Sequence, residues 1–214
     1  MDGVIIDSEP LHQSCERAIF NSLGISVTDE VHHSFTGCTD ELMWSRIADI
    51  YGLSVNIPDI IHTKKSLYLT YLKEKEISPI AGVVELMNRL SDNGIFIALA
   101  SSAPHEQIDH ILDVFHIKHF FHSIISGEDV TNGKPDPEIF LTAATSVGIE
   151  PASCIVIEDA YNGIIAAKSA GMKCIAFHNP HSGNQDLTKA DLVVTSFDEI
   201  TLNLLSAICS ELLS

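Results

Sequence analysis

Cys154-Ile155-Val156-Ile157-Glu158-Asp159-Ala160-Tyr161-Asn162-Gly163 is an apolar run that ends in two adjacent carboxylates and then turns toward a helical pattern. A short β-branched run bounded in this way reads as a buried strand, with residues 162–170 as the helix after it. The same alternation extends to both sides. Upstream, Val83, Leu86, Met87 and Leu90 have helical spacing over residues 82–92, Asn93-Gly94 ends that helix, and residues 95–100 form another apolar run. Further helices are predicted over 104–114 and 137–147, with a strand near 123–126 between them. Downstream come strands at 173–177 and 192–194 and a closing helix from 197 onward. Short apolar strands alternating with amphipathic helices predict an α/β fold, a Rossmann-like parallel sheet covered on both faces.

One stretch breaks that rhythm. Apolar residues recur at helical spacing in three runs: Leu11, Cys15, Ala18, Ile19 and Leu23; then Leu42, Ile47 and Ile50; then Ile60, Ile61, Leu67 and Leu72. No strand interrupts them, so the expected organisation is an α/β core made of residues 1–10 and 79–214 with a helical cap at 11–78. The insertion leaves the core just after the first acidic turn. That places it over the strand ends, where α/β sheets bind ligands, with Pro10 and Ser78-Pro79 as hinges.

Composition narrows the function. A chain of 214 residues suits one core with one insertion, enough to bury roughly 70% of the unfolded surface. The net charge of −17, with only 12 Lys and Arg, argues against a nucleic-acid partner, which binds through clustered cations. The same charge repels a phosphate ester at long range, so a site for one has to create local positive potential with a metal ion or a placed lysine. Five cysteines, odd in number and without C-x-x-C spacing, predict neither disulfides nor a zinc knuckle and suit a reducing compartment. No apolar run reaches the ~20 residues of a membrane span, and a cytoplasmic protein without a membrane partner is expected. The histidines, His32-His33 among them, have no transition-metal spacing, and the segment His178-Asn179-Pro180-His181 either borders the far wall of a site or carries ordinary scattered surface histidines. Lys64 and Lys65 could supply phosphate contacts from the helical insertion, but a solvated helix face is the favoured reading.

Four segments carry chemistry. The first, Met1-Asp2-Gly3, has the look of a D-x-D-G loop of which only the second carboxylate is present. In such a loop the first carboxylate attacks phosphorus and the second, two residues on, handles the leaving-group proton. Gly3 permits the sharp turn. Ser101 and Ser102 follow the run at 95–100, where hydroxyls can hold a phosphoryl oxygen or simply cap the next helix. Lys134, clamped in Gly133-Lys134-Pro135-Asp136-Pro137, can hold an ammonium against an anion at little entropic cost, although most lysines in turns are only surface residues. Glu158 and Asp159 are hard oxygen ligands suited to Mg²⁺, with a helix cap as the plain alternative for Asp159.

Together, in this order and each at the end of a predicted strand, these segments resemble the haloacid dehalogenase superfamily over essentially the whole chain. The segment from Asp2 to Pro10 is most similar to its β-phosphoglucomutase and sugar-phosphate phosphatase branch. The resemblance implies that Asp2 is the general acid/base and lends its backbone carbonyl to Mg²⁺, that Ser101 and Lys134 bind the transferring phosphoryl group, and that Glu158 and Asp159 hold the metal. It further implies substrate contacts from Ser102, His12, Thr36 and Gly37. A carboxylate at Asp2 speaks against the dehalogenases, which lack it.

Two departures qualify the resemblance. The family's nucleophilic aspartate falls immediately before Met1, so this 214-residue chain is expected to be inactive or nearly so. In the segment Thr36-Gly37-Cys38-Thr39-Asp40-Glu41, the arginine with which mutases grip a second phosphate falls at Asp40, which favours a phosphatase. The resulting expectation is a monomeric, Mg²⁺-dependent phosphatase acting on a small phosphorylated metabolite, a sugar phosphate, through an aspartyl-phosphate. The alternatives are a β-phosphoglucomutase-type phosphotransferase and a non-catalytic binding protein that keeps the fold.

Overall fold

The computed structural model describes residues 1–35 and 38–210, with the side chain of Ser210 excepted. The chain divides into two compact units: Ser8–Ile77 with His181–Asn184, and Met1–Asp7 with Ser78–Pro180 and Gln185–Ser214.

The first unit is helical, with α1 (Glu9–Ser22), α2 (Asp29–His33), α3 (Asp40–Tyr51) and α4 (Ile57–Glu74). Pro10 and Glu9 open α1, where a missing N–H costs nothing and negative charge meets the positive helix end. Thr28 and Thr39 cap α2 and α3 by accepting from the N–H groups of Val31 and Leu42. Gly52 ends α3 with a φ of 62°, a conformation that favours glycine. The core gathers Ile19, Phe20, Met43, Trp44, Ile47 and Ile60. The face of α3 differs from expectation, because Leu42 and Ile50 are 48% and 58% exposed. The helix turns instead on Trp44, whose ring meets Phe20 with centroids 5.3 Å apart and buries more apolar surface than either aliphatic residue could.

The second unit contains α5 (Val83–Asp92), β1 (Ile97–Ser101), α6 (His105–Val114), β2 (Phe121–Ser126) and α7 (Glu138–Val147). It continues with β3 (Ile155–Glu158), α8 (Tyr161–Ser169), β4 (Lys173–Phe177), β5 (Leu192–Val194) and α9 (Leu202–Ser210). All strand pairs are parallel, as short apolar strands joined by helices require. Leu99 sits opposite Ile124, and Ile157 opposite Ile175. Alanines on α7 and α8 allow these helices to lie close on the strands: Ala143, Ala144, Ala166 and Ala167 join Val156, Cys174 and Ala176 in one buried cluster. Among the described residues the parallel strands pair as β1–β2 and β3–β4–β5, and an apolar cleft of about 700 Å³ is lined by residues of both β1 and β3.

Candidate active site

Four loops meet where the strands end. Residues 1–6 form a tight turn in which the Met1 carbonyl accepts from the N–H groups of Val4 and Ile5 at 3.2 and 2.7 Å. This turn is tied to the unit by Ile80 N–H donating to the Ile5 carbonyl at 2.8 Å. Gly3 has a φ of 69°, and a side chain there would collide with the Asp159 carboxylate, so the Asp2-Gly3 turn and Asp159 are in direct contact. Asn179 donates to the Gly3 carbonyl at 3.1 Å. The Asp2 carboxylate accepts from Gln107 Nε2 at 3.3 Å.

Lys134 reaches across to the same place. Its Nζ lies 2.5 Å from Glu158 Oε1 and 3.5 Å from the Ala100 carbonyl at the end of β1. Glu158 Oε2 accepts from the N–H groups of Asp159 and Ala160 at 2.9 and 3.1 Å, so both carboxylate oxygens are engaged. Burial pushes the Glu158 carboxyl up, but the charge of Lys134 and these hydrogen bonds outweigh it and hold the group below its ordinary value of 4.5. The Met1 amino group is held below its ordinary value of 8.0 chiefly by burial, with Asp2, Glu158 and Asp159 pulling the other way. Ser101 is buried, and its Oγ accepts from Ala103 N–H at 3.2 Å. Ser102 is exposed, with Gly127 packed against its carbonyl.

The predicted site residues of the α/β unit are thus gathered at one end of it, but not as three carboxylates around one point. Asp2 faces Gln107, Glu158 faces Lys134, and Asp159 faces Gly3. Among the described residues, no group of three or more His, Cys, Asp or Glu side chains is arranged to hold a metal ion. Gln107 is the positioning residue that sequence reasoning passed over, while Asn179, in the segment read as one wall of the site, is hydrogen-bonded to Gly3. Gln107 had a visible signal, a buried polar residue beside Ile108, Ile111 and Leu112 on the inward face of α6.

The remaining candidates lie in the helical unit. His12 stacks on Tyr68 with ring centroids 4.3 Å apart. It lines a polar cavity of about 350 Å³ with Glu16, His32, Asp40 and Lys64. Thr36 and Gly37 lie outside the described residues. One expectation is corrected here. Lys64 is no solvated residue: it is buried between Glu16 Oε1 at 2.6 Å and Asp40 Oδ1 at 2.5 Å. His32 is buried beside it, with its Nε2 2.5 Å from Glu16 Oε2. A buried carboxylate between α1 and α4 needs countercharge, which Lys64 supplies, while the His32 ring nitrogen gives it a hydrogen-bond partner.

A family model described as haloacid dehalogenase-like hydrolase matches residues 1–177. The chain belongs to this family. The hydrolase is 30% identical over 97% of its length to a phosphorylated carbohydrates phosphatase of Thermotoga maritima, of which it covers 96%. It is 32% identical over 96% of its length to the β-phosphoglucomutase of Bacillus subtilis, covering 91% of that protein. The crystal structure of a β-phosphoglucomutase from Clostridium difficile superposes with a TM-score of 0.76 at 28% identity, over 99% of this chain and 95% of that one. The hydrolase therefore falls in the β-phosphoglucomutase-like branch, with an α/β core and a helical cap. Among the described residues, no helix is long and apolar enough to cross a membrane.

Proposed function

We propose that the site hydrolyses a phosphomonoester of a small sugar or polyol, with Mg²⁺, through a covalent aspartyl-phosphate whose aspartate adjoins the Met1 nitrogen and is not among the 214 residues. The observation that carries the reading is the meeting of Asp2, Lys134, Glu158 and Asp159 at one end of the α/β unit, around the buried amino group of Met1. The relatives named for phosphorylated carbohydrates support the substrate class.

In this reading Asp2, held by Gln107, protonates the leaving alkoxide and then takes a proton from water. Lys134, oriented by Glu158, and the Ser101 hydroxyl stabilise charge on the phosphoryl oxygens. Asp159, the Asp2 carbonyl and Glu158 are the hard donors that would hold Mg²⁺. The bound ion supplies positive charge against the phosphoryl group in a protein of net charge −17. Ser102, His12, Thr36 and Gly37 are assigned to substrate contacts. In the helical unit, Asp40 and Glu16 neutralise Lys64 from two sides, so the adjoining cavity suits hydroxyl groups better than a second phosphate.

A mutase reading draws on the two β-phosphoglucomutase relatives, but the neutralised Lys64 and the acid at Asp40 weigh against it. The test compares the 214-residue chain with one carrying an added aspartate before Met1, at the end of an apolar strand, on p-nitrophenyl phosphate with Mg²⁺. The extended chain is expected to exceed the shorter one by ~10⁴-fold, the usual cost of losing a covalent nucleophile. EDTA is expected to abolish its turnover. Equal high turnover of both chains overturns the mechanism.

A further inference from the structure

The polar cavity of the helical unit carries more negative charge than its lysine offsets. Three carboxylates line its volume of about 350 Å³, those of Glu9, Glu16 and Asp40, against the ammonium of Lys64. Glu9, His12, Gln13 and Glu16 reach it from one face of α1, because residues three, four and seven apart stand above one another on a helix. Asp40 opens α3, and Lys64 comes from α4. Lys64 is already committed: its Nζ lies 2.6 Å from Glu16 Oε1 and 2.5 Å from Asp40 Oδ1.

What remains is acceptor capacity without donors. Glu9 Oε1 accepts from Gln13 Nε2 over a long 3.3 Å, and among the described residues neither the second oxygen of Glu9 nor that of Asp40 has a hydrogen-bond donor. His32, only 3% exposed, lines the same cavity, and its buried Nδ1 has no partner among the described residues. With Nε2 donating to Glu16, Nδ1 is one more acceptor. Burial raises the Glu9 carboxyl above its ordinary value of 4.5 and Glu16 adds to the rise, more than Gln13 and Lys64 offset. The uncompensated charge is thus centred on Glu9.

Such a surface attracts a cation, and its geometry selects an organic one. Among the described residues, no three His, Cys, Asp or Glu side chains are arranged to hold a metal ion. An alkylammonium is a compact charge with three donors, and Lys64 shows in the same cluster how carboxylates here seat one. The volume lies at the small end of the range for ligand sites, and the amide of Gln13 and the ring of His12 match hydroxyl groups. We infer that this cavity is a binding site for a small polyol that bears a primary amine, with its ammonium against Glu9 and its hydroxyl groups against Gln13 and His12. The inference rests on the helical unit alone and holds whether or not the α/β unit hydrolyses phosphate esters.

Calorimetric titration of the 214-residue chain with glucamine, sorbitol and N-acetylglucamine at physiological ionic strength tests it. A charge-assisted contact is expected to make glucamine bind about tenfold more tightly than sorbitol. Acetylation removes the charge and keeps the hydroxyl groups, and is expected to abolish that preference. Glu9→Gln, isosteric but uncharged, is expected to do the same. Asp49→Asn, an equal loss of charge at an exposed position of α3 outside the cavity, is expected to leave the preference intact. Equal affinity for glucamine and sorbitol overturns the inference, as does no measurable binding of glucamine. A preference that survives Glu9→Gln, or that both substitutions weaken alike, belongs to the net charge of −17 or to another acidic patch and overturns it too. Should Glu9→Gln fail to fold, amide exchange in α1 and α4 of the unsubstituted chain decides: slowing on addition of glucamine supports the site, and its absence overturns it. Turnover by the extended chain has no bearing on these titrations, so this inference and the phosphatase reading fail separately.

Discussion

At Lys134 and Glu158 an ion pair is buried, with side chains 12% and 10% exposed, and its energetics can be read out directly. Removing the lysine strands a carboxylate whose other oxygen is already committed to backbone N–H groups, so Lys134→Met is expected to cost ~3–5 kcal/mol. Lys134→Met combined with Glu158→Gln is expected to recover more than half of that loss in a double-mutant cycle followed by urea unfolding. The pH dependence has a definite sign. The folded Glu158 carboxyl lies below 4.5, so its pairing contributes stability above that value and loses it as the pH falls through the folded value. In Lys134→Met the charge that opposes burial most strongly is gone, and burial pushes the group up against the remaining hydrogen bonds. The gap in melting temperature between the two proteins should therefore close as the pH is lowered below 4.5. A gap that stays constant with pH would mean that Lys134 stabilises by packing on Phe140, whose ring centroid lies 4.7 Å from its Nζ, and not by charge. Gly163 offers a second probe. It lies in α8, where alanine by propensity alone stabilises by about 1 kcal/mol, but a Cβ there strikes the Glu158 carboxylate. Because Lys134 and two N–H groups pin that carboxylate, it cannot yield, and Gly163→Ala is expected to destabilise in thermal melts. Gly94→Ala, with open space around the Cβ position, is expected to show only the cost of its φ of 68°.

The cap shows how charge pairing decides where a helix turns. Glu16 of α1 and Lys64 of α4 face one another, with His32 of α2 and Asp40 of α3 completing the set, so all four helices contribute to one buried cluster. Burial pulls the Lys64 ammonium down, but Glu16 and Asp40 raise it above 10.5, so its contribution is complete below that value and is lost only as the pH rises through the folded value. Lys64→Met is expected to cost ~3–5 kcal/mol in chemical unfolding, whereas Lys65→Met, at an exposed neighbour, is expected to leave the midpoint unchanged. Equal effects would dissolve the cluster as a structural unit. The sequence could not show this arrangement, because a lysine adjacent to another lysine looks solvated until the partner helices are known. The strand and helix repeat from Val83 to Val194 was legible, since apolar period and glycine or proline breaks are local signals. So were the acidic, hydroxyl and ammonium residues at strand ends. What stayed hidden depends on distant partners: Gln107 against Asp2, the bond that ties Asn179 to Gly3, and the Trp44 face of α3 in place of Leu42 and Ile50.

Over the whole molecule, 29 acidic residues against 12 basic ones oppose the approach of any anion, and the site counters them only at short range. Long-range repulsion is screened by salt with a Debye length of about 30 Å at 0.01 M and about 8 Å at 0.15 M, while a contact as close as Lys134 to a phosphoryl oxygen is screened little. Raising ionic strength should therefore help substrate to arrive without weakening its grip once bound. For the chain extended by a strand ending in aspartate, kcat/KM for p-nitrophenyl phosphate is expected to rise about twofold or more between these salt concentrations at fixed Mg²⁺, with kcat unchanged. Proteins that recognise polyanions through clustered cations behave in the opposite way, losing affinity steeply with salt. A fall in kcat/KM over the same range would mean that the local field of Lys134 and the metal extends well beyond the site and overrides the net charge. The repulsion would then have no part in setting how fast substrate is captured.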